Sequence, residues 1–123
     1  MSDLPLAEYL EHILEAAEMV LARVGGLSKA EFMADAWGQR AVVMNLVIIG
    51  EASAKLLQKH RDFADRHPDL PWQTLRGMRN HMVHGYFRID YDVVWQTIEV
   101  DLPAAVRAMP RLLRQAAAQD PSF

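Results

Sequence analysis

Ala41-Val42-Val43-Met44-Asn45-Leu46-Val47-Ile48-Ile49-Gly50 is the stretch that decides the fold. It lies in a helical segment running from about Asp35 to Lys59, and only Asn45 interrupts its apolar character. A helix apolar nearly all round needs neighbours on most sides, so the central helix of a bundle is expected. The run is far short of the roughly 18 apolar residues of a membrane span, so a soluble chain is expected. Upstream, Leu6, Leu10, Ile13, Leu14, Ala17, Val20, Leu21 and Val24 recur at three- and four-residue spacing. That predicts a first helix over Leu6–Val24 with one buried stripe. Gly25-Gly26 ends it, because glycine accepts the left-handed backbone of a helix stop. Ser28-Lys29-Ala30-Glu31 has the form of a capping box, opening a short helix with Phe32 and Met33.

Downstream, Arg61 to Leu70 is polar and reads as a connector, finishing in His67-Pro68-Asp69-Leu70-Pro71. Asp69 is the expected cap of a third helix, with Pro71 in its first turn. Leu75, Met78 and Met82 should point inward from that helix, and Gly85 should end it. Asp90 is the expected cap of a fourth helix with Val93, Val94, Ile98 and Leu102 inward. Pro103 and Pro110 each remove a backbone donor, which predicts a kink or a break into two helices. The tail after Ala118 should fray. No segment alternates like a strand. The expected fold is all-α, an antiparallel bundle of four to five helices forming one domain over residues 1–123.

Composition narrows the function classes. At 123 residues, 51% of them hydrophobic, the chain is long enough for one real core. It has no cysteine, which excludes a disulfide framework, a thiolate zinc site and a cysteine nucleophile. With no basic, apolar leader at its start, a cytoplasmic protein is expected. The net charge of −3 argues against nonspecific coating of long nucleic acid. Charge is nevertheless uneven. No acidic residue occurs from Leu70 to Ile89, where Arg79-Asn80-His81-Met82-Val83-His84-Gly85-Tyr86 is flanked by Arg76 and Arg88. A cationic island on an acidic chain suits a phosphate-bearing ligand.

Phosphodiester cleavage is the chemistry these side chains fit. RNA carries its own nucleophile, the 2′-hydroxyl. One histidine can take its proton and a second can protonate the leaving 5′-oxygen. Arginine offers a planar fork of donors to the phosphate, where charge builds. Arg79 and His84 fit that chemistry, with Asn80 orienting His84 or holding the phosphate; they equally fit a solvated helix end, Arg79 paired with a carboxylate, His84 favourable at a C-terminus and Gly85 a stop. His81, Arg76 and Arg88 are candidate phosphate contacts. His81 and His84 have the spacing of metal ligands, but no third ligand is nearby, so neither metal nor cofactor is expected. Five residues of helix rotate Arg79 and His84 about 140° apart, whereas Asn80 and His84 share a face. Either the helix ends before His84 and swings it round, or a second copy of the helix completes the site across a two-fold dimer.

Arg79-Asn80, three residues, His84, one residue, Tyr86 is similar to the RNxxxHxY motif of the HepT-like toxins, within the HEPN superfamily. Ile48-Ile49-Gly50-Glu51-Ala52 resembles the Gly-Glu element of that family's central helix. Pro68-Asp69-Leu70-Pro71-Trp72 resembles its Pro-x-x-Pro-Trp lead-in to the motif helix. Phe87-Arg88-Ile89-Asp90, Val94-Trp95 and Asp101-Leu102-Pro103 resemble its later elements. The likeness spans roughly Ala41 to Val106. It implies an all-helical homodimer acting as a metal-independent endoribonuclease, the toxin of a toxin–antitoxin pair, with Arg79 and His84 as the catalytic pair and Asn80 supporting them. The implied antitoxin is a small MNT-type nucleotidyltransferase that transfers AMP from ATP to the motif tyrosine, here Tyr86. A bulky anion there, two residues from His84, would block the cationic cleft.

Other residues carry plainer readings. Glu51 could pair with an arginine of the motif and fix its rotamer, or bond Lys55 one turn on. Trp72 and Trp95 read as core or interface residues. Asn45 is either a polar specificity device or partly exposed. The competing function is a noncatalytic helical subunit that presents nucleotide or substrate to a nucleotidyltransferase. A purely structural bundle leaves the cationic island unexplained.

Overall fold

The computed structural model describes residues 4–119, apart from the side chains of Val83, His84 and Tyr86. The chain forms α1 (Leu6–Val24), α2 (Lys29–Met33), α3 (Ala36–Lys59), α4 (Arg61–Arg66) and α5 (Trp72–His84). A 3-10 turn (Tyr86–Arg88) leads to α6 (Tyr91–Gln96), a π-helical turn (Thr97–Asp101) and α7 (Leu102–Gln119). The described residues contain no strand. The long helices α1, α3, α5 and the α6–α7 rod make the expected all-α bundle, with the short helices as connectors.

Local chemistry fixes most of the helix ends. α1 stops at Gly25, whose amide bonds Leu21 O at 2.8 Å, and Gly26 supplies the left-handed step at φ 86°. The Ser28 hydroxyl accepts from Glu31 N at 3.1 Å while the Glu31 carboxylate accepts from Ser28 N at 2.9 Å, a complete capping box. Asp35 caps α3 by accepting from Gly38 N, and its other oxygen takes Arg23 at 2.6 Å, tying α1 to α3. Asp90 accepts from Asp92 N and Val93 N at the start of α6.

α3 lies between α1 and α5. By length and apolar content alone it could cross a membrane. Packing accounts for one side of it: Val42, Leu46, Ile49, Leu56 and Leu57 are buried with Leu10, Ile13, Leu75, Met109 and Leu112 in one core. The other side is exposed. Trp37, Met44 and Ile48 are 87%, 59% and 36% exposed, with Ala41 exposed between them. The central helix is thus apolar nearly all round, as expected, but covered on only part of its circumference.

Four expectations need correcting. Arg61 to Leu70 is not a plain connector, because Arg61–Arg66 forms α4 and buries Phe63 and Ala64. Asp69 does not cap α5. Its carboxylate pairs with Arg111 on α7, and α5 starts after Pro71 with no side-chain cap. Val93 faces outward at 45% exposure while Val94 is fully buried, since adjacent helical positions are 100° apart. Pro110 breaks nothing, and α7 continues through it.

The rod does divide just ahead of Pro103. There the Leu102 amide reaches back five residues to Thr97 O, widening the helix by one residue before a position with no donor. Burial pushes the Asp101 carboxyl in that turn above the usual carboxylate range. Of the tail expected to fray, residues 120–123 lie outside the described part, and α7 extends to Gln119.

Candidate active site at the end of the motif helix

The α5 sequence is amphipathic on a steep scale. Leu75, Met78 and Met82 are buried, as expected, while Gln73, Thr74, Arg76, Asn80 and His81 are exposed. Its cations therefore face outward because the core takes the apolar residues three and four apart. Arg88 follows on the 3-10 turn, also exposed, its amide bonded to Gly85 O at 2.8 Å. The helix runs through His84 and is closed by Gly85. The alternative in which the helix ends before His84 therefore falls. Arg79 and His84 stand on one helical segment, about 140° apart in rotation. The side chains of His84 and Tyr86 lie outside the described residues, so their contacts are not part of this geometry.

Arg79 is held at both ends. At its base, α3 and α5 touch. A Cβ built on Gly50 would lie 2.5 Å from Arg79 N, 2.6 Å from Arg79 Cβ and 3.0 Å from Arg79 Cα. No side chain fits there, so glycine is required by the close approach of two backbones. At its tip, Arg79 Nε lies 2.6 Å from Glu51 Oε2, with the two side chains 45% and 46% exposed. Of the two readings of Glu51, the pair with a motif arginine is the one present. A half-exposed pair of this kind contributes only about 0–1 kcal/mol to stability. Its consequence is geometric, because it limits the rotamers of Arg79 and leaves the two terminal nitrogens as donors for a phosphate.

Gly50→Ala should therefore disturb both fold and site. Overpacking at a rigid contact costs about 1–3 kcal/mol, and α5 must move away from α3 at Arg79. The expected result is a lower melting temperature together with slower RNA cleavage, read by thermal denaturation and a cleavage assay on the same preparation.

Gly77, the glycine within the motif helix itself, is different. A Cβ on Gly77 would meet nothing within 4 Å, and its backbone is ordinary helix. At mid-helix, glycine costs roughly 1 kcal/mol against alanine.

The exposed stripe on α3 leads to this place. Trp37, Ala41, Met44, Ile48 and Glu51 follow three- and four-residue spacing on one face. Met44 and Glu51, seven residues apart, are separated by about 10 Å along the axis. Trp37 was not singled out by sequence reasoning. Its signal was present, since it is out of phase with buried Val42, Leu46 and Ile49.

The plain readings hold for several other residues. Asn45 is partly exposed and donates to Ala41 O at 2.9 Å. Trp72 is buried, its indole donating to His67 O at 2.9 Å. Trp95 packs on Phe32 with ring centroids 5.3 Å apart. His67 stacks on Phe63, and burial, with Arg111 and Arg66 nearby, holds its pKa below the usual value. Among the described residues, no three histidine or carboxylate side chains are grouped as a metal site.

The all-α bundle thus presents Arg79, Asn80 and His81, all exposed, near the end of one helix. Residues 13–112 match the Ribonuclease HepT-like family, and the chain belongs to that family. It is 36% identical over 107 residues to a candidate RNase of Caldanaerobacter subterraneus subsp. tengcongensis, covering 87% of this chain and 93% of that one. It is 37% identical over 97 residues to a candidate ribonuclease HepT of Thermococcus cleftensis, covering 79% and 86%. A candidate RNase of Methanocaldococcus jannaschii is 35% identical over 103 residues, covering 84% and 92%. No solved structure matches the chain. The protein is thus an enzyme of a ribonuclease family, with the fold its sequence implied.

Proposed function

We propose that this chain is a metal-independent endoribonuclease toxin that works as a homodimer in the cytoplasm. The observation that carries the dimer is the continuity of α5 through His84. One straight helix turns Arg79 and His84 away from each other, so a second copy of α5 is needed to bring an arginine and a histidine to one phosphate. The exposed stripe of Trp37, Ala41, Met44 and Ile48 supports the same reading. It is the kind of apolar surface that a second copy covers, and it ends at the residue holding Arg79.

In this reading the 2′-oxygen attacks phosphorus and the bond to the 5′-oxygen breaks. The products are a 2′,3′-cyclic phosphate and a free 5′-hydroxyl. His84 moves the proton, Arg79 stabilises charge on the non-bridging oxygens, and Asn80 orients the pair. Arg76, Arg88 and His81 hold flanking phosphates, and Glu51 keeps Arg79 in place.

Control falls on Tyr86, in the turn just past His84. An MNT-type nucleotidyltransferase antitoxin transfers AMP there. The phenolic oxygen attacks the α-phosphorus of ATP, pyrophosphate leaves and the phenolic proton is lost. The added anion sits over the cationic end of α5 and keeps RNA out by size and charge.

The test is intact mass of the chain purified with and without its neighbouring gene product, alongside RNA cleavage in EDTA. Added mass in AMP units at Tyr86 with loss of cleavage supports both halves. No cleavage by the unmodified chain, with wild type and His84→Ala alike, would favour the noncatalytic subunit of a nucleotidyltransferase complex.

A further inference from the structure

Three glycines lie at the motif helix: Gly85 closes it, Gly50 packs against it and Gly77 stands within it. Gly50 is required by the backbone of Arg79. Among the described residues nothing requires Gly77: outside its chain neighbours and the backbone of its own helix, no heavy atom lies within 4 Å of where a Cβ would stand, and its backbone is not left-handed. It nevertheless occupies the middle of α5, where glycine weakens a helix. Glycine at such a place commonly marks a close approach from outside.

The surroundings say what approaches. The positions three and four residues away on either side are Gln73, Thr74, Asn80 and His81, and Arg76 adjoins. All five are exposed, and none is apolar. This is not the surface a second protein copy would bury at the core of an interface, where charge is depleted and apolar groups gather. The apolar stripe on α3 provides that instead. A cationic and polar face around a bare stretch of helix fits a sugar–phosphate backbone.

We propose that Gly77 is where the RNA backbone comes closest to α5. The missing side chain leaves room for a ribose-phosphate unit to rest against the helix, with Arg76 and Asn80 on one flank and His81 on the other. From there the strand runs toward His84. The inference rests on the ribonuclease reading above and assigns to that site a substrate contact made by absence of a side chain. A methyl group at this position would lift the strand by about 1 Å, a displacement of the size that costs on the order of a hundredfold in rate.

Gly77→Ala separates this from a structural role, because the two expected effects have opposite signs. The variant should melt about 4 °C higher, since alanine is the better helix former. Its cleavage of RNA should fall about a hundredfold with the dimer mass unchanged. In a non-cleaving His84→Ala background, Gly77→Ala should weaken binding of a short fluorescein-labelled single-stranded RNA of mixed sequence by about tenfold. Gly77→Leu should weaken it further.

Equal binding with and without Gly77→Ala would overturn the inference. If the wild type still cuts RNA in that case, the ribonuclease reading stands alone. Loss of binding accompanied by collapse to a monomer would also overturn it, by assigning the contact to a second copy. No binding and no cleavage by the parent protein would overturn both.

Discussion

Arg79→Ala is expected to reduce RNA cleavage by about 10²–10³, the usual loss when one donor to the developing oxyanion is removed. The fold should survive. The Glu51–Arg79 pair is about half exposed at both side chains, so Glu51 left alone remains solvated. The change in stability should stay within about 1 kcal/mol. Helicity by circular dichroism and a thermal melt should overlay on the wild type while cleavage in EDTA is lost. Arg79→Lys should rescue poorly, because a lysine ammonium lacks the planar fork that lets one edge meet Glu51 and the other the phosphate. Wild-type cleavage by Arg79→Ala would remove arginine from the mechanism. An unfolded Arg79→Ala would show instead that the α3–α5 contact is structural first.

The second large effect is expected far from any catalytic group. Met44→Glu lies on the exposed stripe of α3, about 10 Å along the helix from Glu51. On an isolated chain a charge at a 59% exposed position is nearly neutral for stability. Across a two-fold axis it becomes two carboxylates forced together in an apolar contact, so the dimer should dissociate. The expected pattern is an unchanged melt at low concentration, a mass in solution equal to the single chain of 14.0 kDa, and no cleavage. A monomer that still cut RNA would show that one chain holds the complete site. A dimer that persisted with full activity would move the interface off α3.

Helix ends set by local chemistry were readable directly. The bounds of α1, the Ser28–Glu31 capping box, the Asp90 cap and the Gly85 stop each depend on residues within one turn of one another. The expectations that failed depended on partners far along the chain. Asp69 has the right spacing for a cap, but Arg111 on α7 takes its carboxylate. Arg61–Arg66 lacks an apolar stripe, yet Phe63 and Ala64 suffice to bury one side of a short helix.

Pro103 signals a disruption in the sequence and one occurs there, but the π turn that accommodates it has no sequence signal of its own. The site divides in the same way. Arg79, Asn80, Arg76 and Arg88 were evident as an island of charge. That Glu51 would meet Arg79 was one of two open readings, because residues 28 apart have no periodicity in common. The need for Gly50 appears only when the two backbones are brought together.

The most direct test of the central claim, that the catalytic arginine and histidine come from different chains, is co-expression of Arg79→Ala and His84→Ala. Each variant alone forms inactive dimers. A mixed dimer keeps one Arg79 and one His84, and they lie on opposite chains. The account predicts that purified mixed dimers cleave RNA. With random pairing, activity should approach about a quarter of the wild-type value, since half the dimers are mixed and each carries one intact pair of two. Mixed dimers as inactive as either parent, with wild-type dimers cleaving normally, would contradict it and place both residues of each working pair on a single chain.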